Sequence, residues 1–351
     1  MAYTTINKST DYFNTVLWSG DNVDGRAITT GFETDWTWVK RRNSTNGHII
    51  SDSVRGATYK LDSSTTGAEV NNYDGGHLES FTSTGFTMGV GSGDFGHLNA
   101  SGGTYASWNW KANGQGSSNT DGSINTTYTS VNTTAGFSIV SFTGTGSNAT
   151  VGHGLGVVPQ MVIIKDRTSG TANDWFVYHK NIGATKYVRL NDTGAEASSS
   201  TLFQDTDPTS SVFYIGTNGN VNTSGNTYIA YCFAEKKGYS KFGSYTGAGS
   251  NLPFIYTGFK PAFVLLKNIV NSSDDWHIFD NKRANTFNPA DKNLLPNLSN
   301  AEGTSAIDLV SNGFKIRATS GFMNRSGEKI IYMAFAEAPL VGSNNVPCTA
   351  R

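Results

Sequence analysis

An all-β protein made of three tandem homologous β-sandwich domains is what this sequence predicts, and three observations carry the prediction. The composition is that of strands and tight turns, one short phrase recurs three times at near-constant spacing, and no segment shows a capped apolar period of 3.6 residues. Forty glycines and 12% aromatics stand against eight prolines. With abundant Ser, Thr and Asn, this reads as many short strands joined by turns.

The phrase is "NASGGTYASWNW" at Asn99, "NTSGNTYIAYCF" at Asn222 and "NRSGEKIIYMAF" at Asn324. Asn and Gly suit the positive φ of tight turns, and the residues that follow alternate. Ala106, Trp108 and Trp110 share one face, as do Ile229, Tyr231 and Phe233, and Ile331, Met333 and Phe335. One bulky apolar face per copy predicts a strand on a sandwich core, with "FTSTGFTMG" and "DLVSNGFKI" as upstream hairpin partners. Each phrase follows a short apolar run ending in lysine, "WTWVK" to Lys40, "MVIIK" to Lys165 and "FVLLK" to Lys267, at separations of 59, 57 and 57 residues. Between them come Glu69, Glu196 and Glu302 in "TTGAE", "DTGAE" and "SNAE".

The elements then fall in order. A leader or attachment segment occupies 1–16, the first sandwich 17–112, the second 135–237, the third 238–340 and a tail 341–351. Asn222 and Asn324 are 102 residues apart but Asn99 and Asn222 are 123 apart. The polar stretch 113–134 explains the excess and has the composition of a flexible or loosely docked linker.

Charge narrows the function. Charged residues make up 15% and the net charge is -1, which argues against nucleic acid as a partner. The start lacks a signal peptide's basic and apolar regions, no run approaches eighteen apolar residues, and the expectation is a soluble protein made in a cytoplasm without membrane insertion. Cys232 and Cys348 give neither a disulfide framework nor metal spacing.

The recurrent polar residues read as scaffold. Lys40, Lys165, Lys267, Glu69, Glu196, Glu302, Asn99, Asn222 and Asn324 repeat in every copy, and a residue that repeats serves the fold of each domain. "GSGDFG" at 91–96 matches a dinucleotide fingerprint literally but precedes a turn and strand instead of a helix. The six histidines, His48, His77, His97, His153, His179 and His277, show no metal spacing. No cofactor, metal or catalytic residue is expected. The acid–aromatic pairs Asp174, Trp175 and Asp275, Trp276 are the surface-recognition candidates, able to stack on and hydrogen-bond a sugar, with a core tryptophan beside a turn aspartate as the plainer account. Asp205 and Asp207 in "FQDTDPT" are the unrepeated acids a polysaccharide depolymerase would need.

As a set, "MAYTTINKSTDYFNTVLWSG", "GFSIVSFTGTGSNATVGHGLGVVPQMVIIKDR", "GNTYIAYCFAEKKGYSKFGSYTG" and "IYMAFAEAPLVGSNNVPCTAR" resemble a family of repeat-containing virion proteins of marine tailed bacteriophages, cyanophages and pelagiphages among them. The resemblance implies a non-enzymatic structural protein, a tail fibre or tail-associated adhesin, assembled in the host cytoplasm and carried on the virion. It implies other virion proteins and a host-surface glycan or protein as partners, with a capsid decoration protein as the alternative. Tail-fibre analogy implies a homotrimer, whereas three repeats in one chain equally allow a pseudo-threefold particle from a monomer. The chain departs from long fibres in lacking coiled-coil heptads or a β-helical shaft.

Overall fold

The computed structural model describes residues 3–71, 78–90, 98–168, 173–284, 287–319 and 321–341. They form antiparallel sheets with one helical turn at Gly219–Asn222 and a short 3-10 turn at Ser9–Asp11. The expected all-β fold is what the chain adopts.

Each repeat contributes an inner and an outer sheet. The phrase strand of each inner sheet lies between that repeat's first strand and its lysine strand. The sequence of strands is Phe13–Ser19, Thr104–Trp110, Trp36–Arg41 and Ile49–Asp52 in repeat 1. In repeat 2 it is Phe137–Thr143, Thr227–Phe233, Met161–Asp166 and Phe176–His179, and in repeat 3 Ser240–Thr246, Lys329–Pro339, Phe259–Asn268 and Trp276–Asp280. The register repeats too, pairing Trp36 with Trp110, Met161 with Phe233 and Phe263 with Phe335.

The bulky faces do not fill three separate sandwiches. One apolar cluster draws on all three repeats, with Trp36, Trp38, Trp108, Trp110, Met161, Ile163, Tyr231, Phe233, Phe263, Leu265, Met333 and Phe335 among its members. The three equivalent rings Trp110, Phe233 and Phe335 close a triangle, with centroids 6.5, 6.2 and 5.5 Å apart. The smaller alternate residues face each repeat's own sandwich. Ala230 and Cys232 pack with Val162 and Ile164 in repeat 2, and Ala334 with Val264 and Leu266 in repeat 3. Both faces of the lysine strands are therefore buried, which is why they read as unbroken apolar runs.

The phrase's turn has its own task. A Cβ on Gly20, Gly144 or Gly247 would lie 2.0, 2.4 or 2.1 Å from the carbonyl oxygen of Ala100, Thr223 or Arg325, the residue after each phrase Asn. Only glycine lets the two turns touch backbone to backbone. The Asn side chain then ties them. Asn222 Oδ1 accepts from Thr145 N at 2.7 Å while its Nδ2 donates to Ser147 O and Gly216 O, and Asn324 makes the same link to Ala248, Gly249 and Asn251.

Three expectations are corrected here. The segment 113–134 is no flexible linker: Tyr128–Asn132 is the edge strand beside Phe137–Thr143, and Ile124 bridges Val151 on the outer sheet. The leader is built in, with Ile6 in the central cluster and Tyr3 Oη donating to Gly258 O at 2.7 Å, and the first strand begins at Phe13. The stretches around Phe86 and Phe314 pair within the outer sheets and not with the phrase strands, whose partners are distant in sequence. The tail from 342 onward, "GSGDFG", His77 and His97 lie outside the described residues.

Candidate functional site

The repeated polar residues meet at the joints between repeats, and the joints run in a ring. Glu69 N donates to Arg167 O at 2.9 Å, Glu196 N to Ile269 O at 2.8 Å and Glu302 N to Arg42 O at 2.7 Å. Each acceptor lies two residues beyond the lysine of the next repeat. Lys165 Nζ reaches back to Thr66 O and Lys267 Nζ to Thr193 O, whereas Lys40 stays with Arg41 O and Ser44 O. Burial pushes all three lysines down to about 8, so they remain charged donors at neutral pH.

Two joints carry buried ion networks. At the first, Arg55 pairs with Asp52 at 2.5 Å and with Glu69 at 3.1 Å, Glu69 takes a bidentate pair from Arg167, and Asp52 accepts from Tyr231 Oη at 2.7 Å. At the ring-closing joint Arg283 pairs with Asp280 at 2.5 Å and Glu302 at 3.2 Å, Arg42 grips Glu302 bidentately, and Asp280 accepts from Trp108 Nε1 at 2.9 Å. Burial works to raise the Asp280 carboxyl, and the Arg283 guanidinium outweighs it and holds the group below its ordinary range. Sequence reasoning missed the Asp and Arg members of these networks. The signal was present: Asp52 goes with Tyr231 and Asp280 with Trp108, while repeats 2 and 3 put His179 and the non-donor Met333 at the matching places.

At that third joint His179 Nε2 donates to Tyr332 O at 3.2 Å, and Nδ1 accepts from Asn181 N at 3.2 Å. This is a neutral imidazole with both nitrogens committed. Burial pushes it down to about 4, and the nearby Lys180 and Lys329 work in the same direction, against the Tyr332 carbonyl. The unfolded chain, with an ordinary value near 6.5, takes up the proton first. His179 therefore contributes stability that is complete above about pH 6.5 and lost as pH falls towards 4, up to about 3 kcal/mol. Urea titrations at pH 7.5 and 4.5 should show a smaller acid loss for His179→Gln than for the parent chain. An equal loss in both would remove this assignment.

The recognition candidates are corrected. Trp175 and Trp276 are buried in the central cluster, and their indole N–H groups donate to Asp62 O at 3.1 Å and Arg189 O at 2.8 Å of the preceding repeat. Asp174 accepts from Asn191 and Arg189, and Asp275 from Asn297. No stacking face is left for a ligand. The remaining described histidines are also committed, His48 to Trp38 Nε1, His153 to Leu155 N and His277 to Asn293. Among the described residues no group of three or more His, Cys, Asp or Glu is placed to hold a metal ion, and no helix is long and apolar enough to cross a membrane.

What distinguishes the repeats lies outside. On the outer edge strand of repeat 3, Phe254 and Tyr256 are 47% and 53% exposed. Aligned through Ile28, Val151 and Ile255, these positions hold Ala27 and Thr29 in repeat 1, and Thr150 and Gly152 in repeat 2. In repeat 2 the outer sheet has two strands, and the segment 199–211 covers its far edge where repeat 1 adds one strand and repeat 3 adds two. Between this segment and the inner-sheet edge lies an open pocket of about 420 Å³ lined by Thr185, Ser198, Ser199, Ser200 and Asp205. Asp207, the other unrepeated acid, is engaged by Tyr178 Oη at 3.1 Å and Ala184 N at 3.0 Å. A glycoside-cleaving pair needs two carboxylates across one sugar, and Asp205 is the acid in this lining.

Fold and site together define a three-lobed, all-β ring whose repeated Glu and Asn side chains hold its joints and turns, with an open polar pocket in repeat 2 and exposed aromatics in repeat 3 on the outside. Residues 8–339 match the family described as Domain of unknown function (DUF7483), and the chain belongs to that family. The match runs through all three repeats. No curated protein matches the sequence.

Proposed function

We propose that this chain is a structural virion protein of a tailed bacteriophage, a tail fibre or tail-associated protein that takes part in host recognition. The resemblance to marine phage virion proteins supplies the class. The observation that supports recognition is the division of labour in the ring: the repeated Glu, Lys and Asn side chains serve turns and joints, while the pocket lining of repeat 2 and the exposed Phe254 and Tyr256 of repeat 3, which differ between repeats, lie on the exterior. Rigid strands under variable outer surfaces suit a projection that meets a host. The partners are then other virion proteins and a host-surface glycan or protein. A homotrimer would set three closed rings side by side, since each ring already fills its own axis.

The capsid decoration reading draws on the same threefold arrangement, which could meet three neighbouring shell subunits. Gold-conjugated antibody on intact virions decides. Gold at the tail is the expected result, and gold spread over the head would replace the adhesin by a decoration protein.

A further inference from the structure

We infer that the open pocket of repeat 2 is a binding site for a neutral sugar, with Asp205 as its anchoring acceptor. The inference rests on the recognition reading above and names its ligand class.

The segment that forms the pocket wall is pinned on both sides of Asp205. Leu202 and Phe203 are buried in the repeat 2 core, and Leu202 O accepts from Gly216 N at 2.7 Å. Gln204 Nε2 donates to Ala149 O at 2.9 Å and Ile215 O at 2.8 Å, clasping both outer strands. Beyond Asp205, the bonds of Asp207 to Tyr178 and Ala184 hold the chain to the inner sheet. Between these ties Gln204 and Asp205 are held at φ 56° and 48°. Left-handed backbone at two consecutive non-glycine residues is costly. Gln204 returns that cost through its two bonds. Asp205 is exposed and shares the pocket lining with Thr185, Ser198, Ser199 and Ser200.

That donor set selects the ligand. A carboxylate accepts two hydrogen bonds side by side, as from neighbouring sugar hydroxyls, and Ser and Thr hydroxyls both donate and accept. The site is a shallow, open depression lined by small polar residues, and its open mouth leaves room for a chain to continue. A uronic acid would bring its negative charge against Asp205, so the site favours neutral or N-acetylated hexoses.

The test is a two-dimensional amide NMR titration of the full chain with methyl α-glucoside, methyl α-mannoside, methyl β-galactoside and N-acetylglucosamine, with sodium glucuronate as the charged comparison. At least one neutral probe should shift the amides of 198–200 and 205, with a Kd of about 1–10 mM, and glucuronate should not. Asp205→Gly removes the acceptor in a conformation glycine favours, so the melting temperature should hold or rise while binding weakens by about tenfold or more. Silence from every neutral probe, equal binding of glucuronate, or undiminished binding by Asp205→Gly overturns the site. Location on the virion is read separately by gold. Tail gold with no sugar binding sinks this inference alone, and sugar binding by a protein absent from virions sinks the adhesin alone.

Discussion

Asp280→Ala is expected to lower stability by about 3–5 kcal/mol, a large part of what a domain has in total. The Arg283 side chain is fully buried, and its guanidinium would keep Glu302 at 3.2 Å but lose the 2.5 Å carboxylate pair. The Trp108 N–H, donated across the ring-closing joint, would lose its acceptor as well. Removing one member of a buried pair leaves an uncompensated charge, whereas replacing both with apolar groups of similar shape is often neutral. Asp280→Leu combined with Arg283→Met should therefore recover most of the loss. Asp52→Ala should behave alike, through Arg55 and Tyr231. Urea denaturation measures both, and a cost below about 1 kcal/mol for either alanine variant would show that the joints are not held this way.

A chain ending at residue 237 should not fold cooperatively, although it keeps two complete repeats. It lacks Phe263, Leu265, Trp276, Met333 and Phe335 from the shared cluster and turns the faces of Trp108 and Trp110 to water. A buried tryptophan covers about 150–250 Å². Each indole keeps its neighbours from repeats 1 and 2, so with about half of that area exposed the loss at about 25 cal/mol per Å² is about 2–3 kcal/mol apiece. The expected product binds a hydrophobic dye and shows no sharp melt. Independent sandwiches would instead leave the first two repeats intact, so a cooperative transition close to that of the full chain would refute the shared core.

That contrast marks how far the sequence could be read. The repeats, the strands, the bulky faces and the turn chemistry at Asn99, Asn222 and Asn324 were all legible, because each is a local pattern of period two or a turn requirement. The destination of the bulky face was not. Alternation tells one face from the other, and in this protein both faces of the lysine strands are buried, one in a private core and one in the common core. Glu69, Glu196 and Glu302 were legible as scaffold but were assigned to their own domains. A contact that steps from each repeat to the next around a closed ring leaves the same spacing in the sequence as a contact within each repeat. Trp175 and Trp276 were open to two readings for the same reason, since a tryptophan facing the neighbouring repeat looks no different from one facing solvent, and the plainer one, a core tryptophan, is what the fold shows. Asp205 was noticed only as half of an acid pair, because nothing in the residue types announces left-handed backbone at Gln204 and Asp205.

Ring closure also sets a clock for synthesis. Arg42 near the start meets Glu302 near the end, across 260 residues, and Trp108 meets Asp280 across 172. When repeat 1 leaves the ribosome, the part of its indole-rich face that packs on Phe263 and Phe335 has no partner until repeat 3 arrives. At about 5–20 residues per second that wait is roughly 10–50 s. Contacts so distant along the chain slow folding, and sticky intermediates aggregate while they wait. During synthesis, the yield of this protein should depend on how well chaperones shelter a half-made ring.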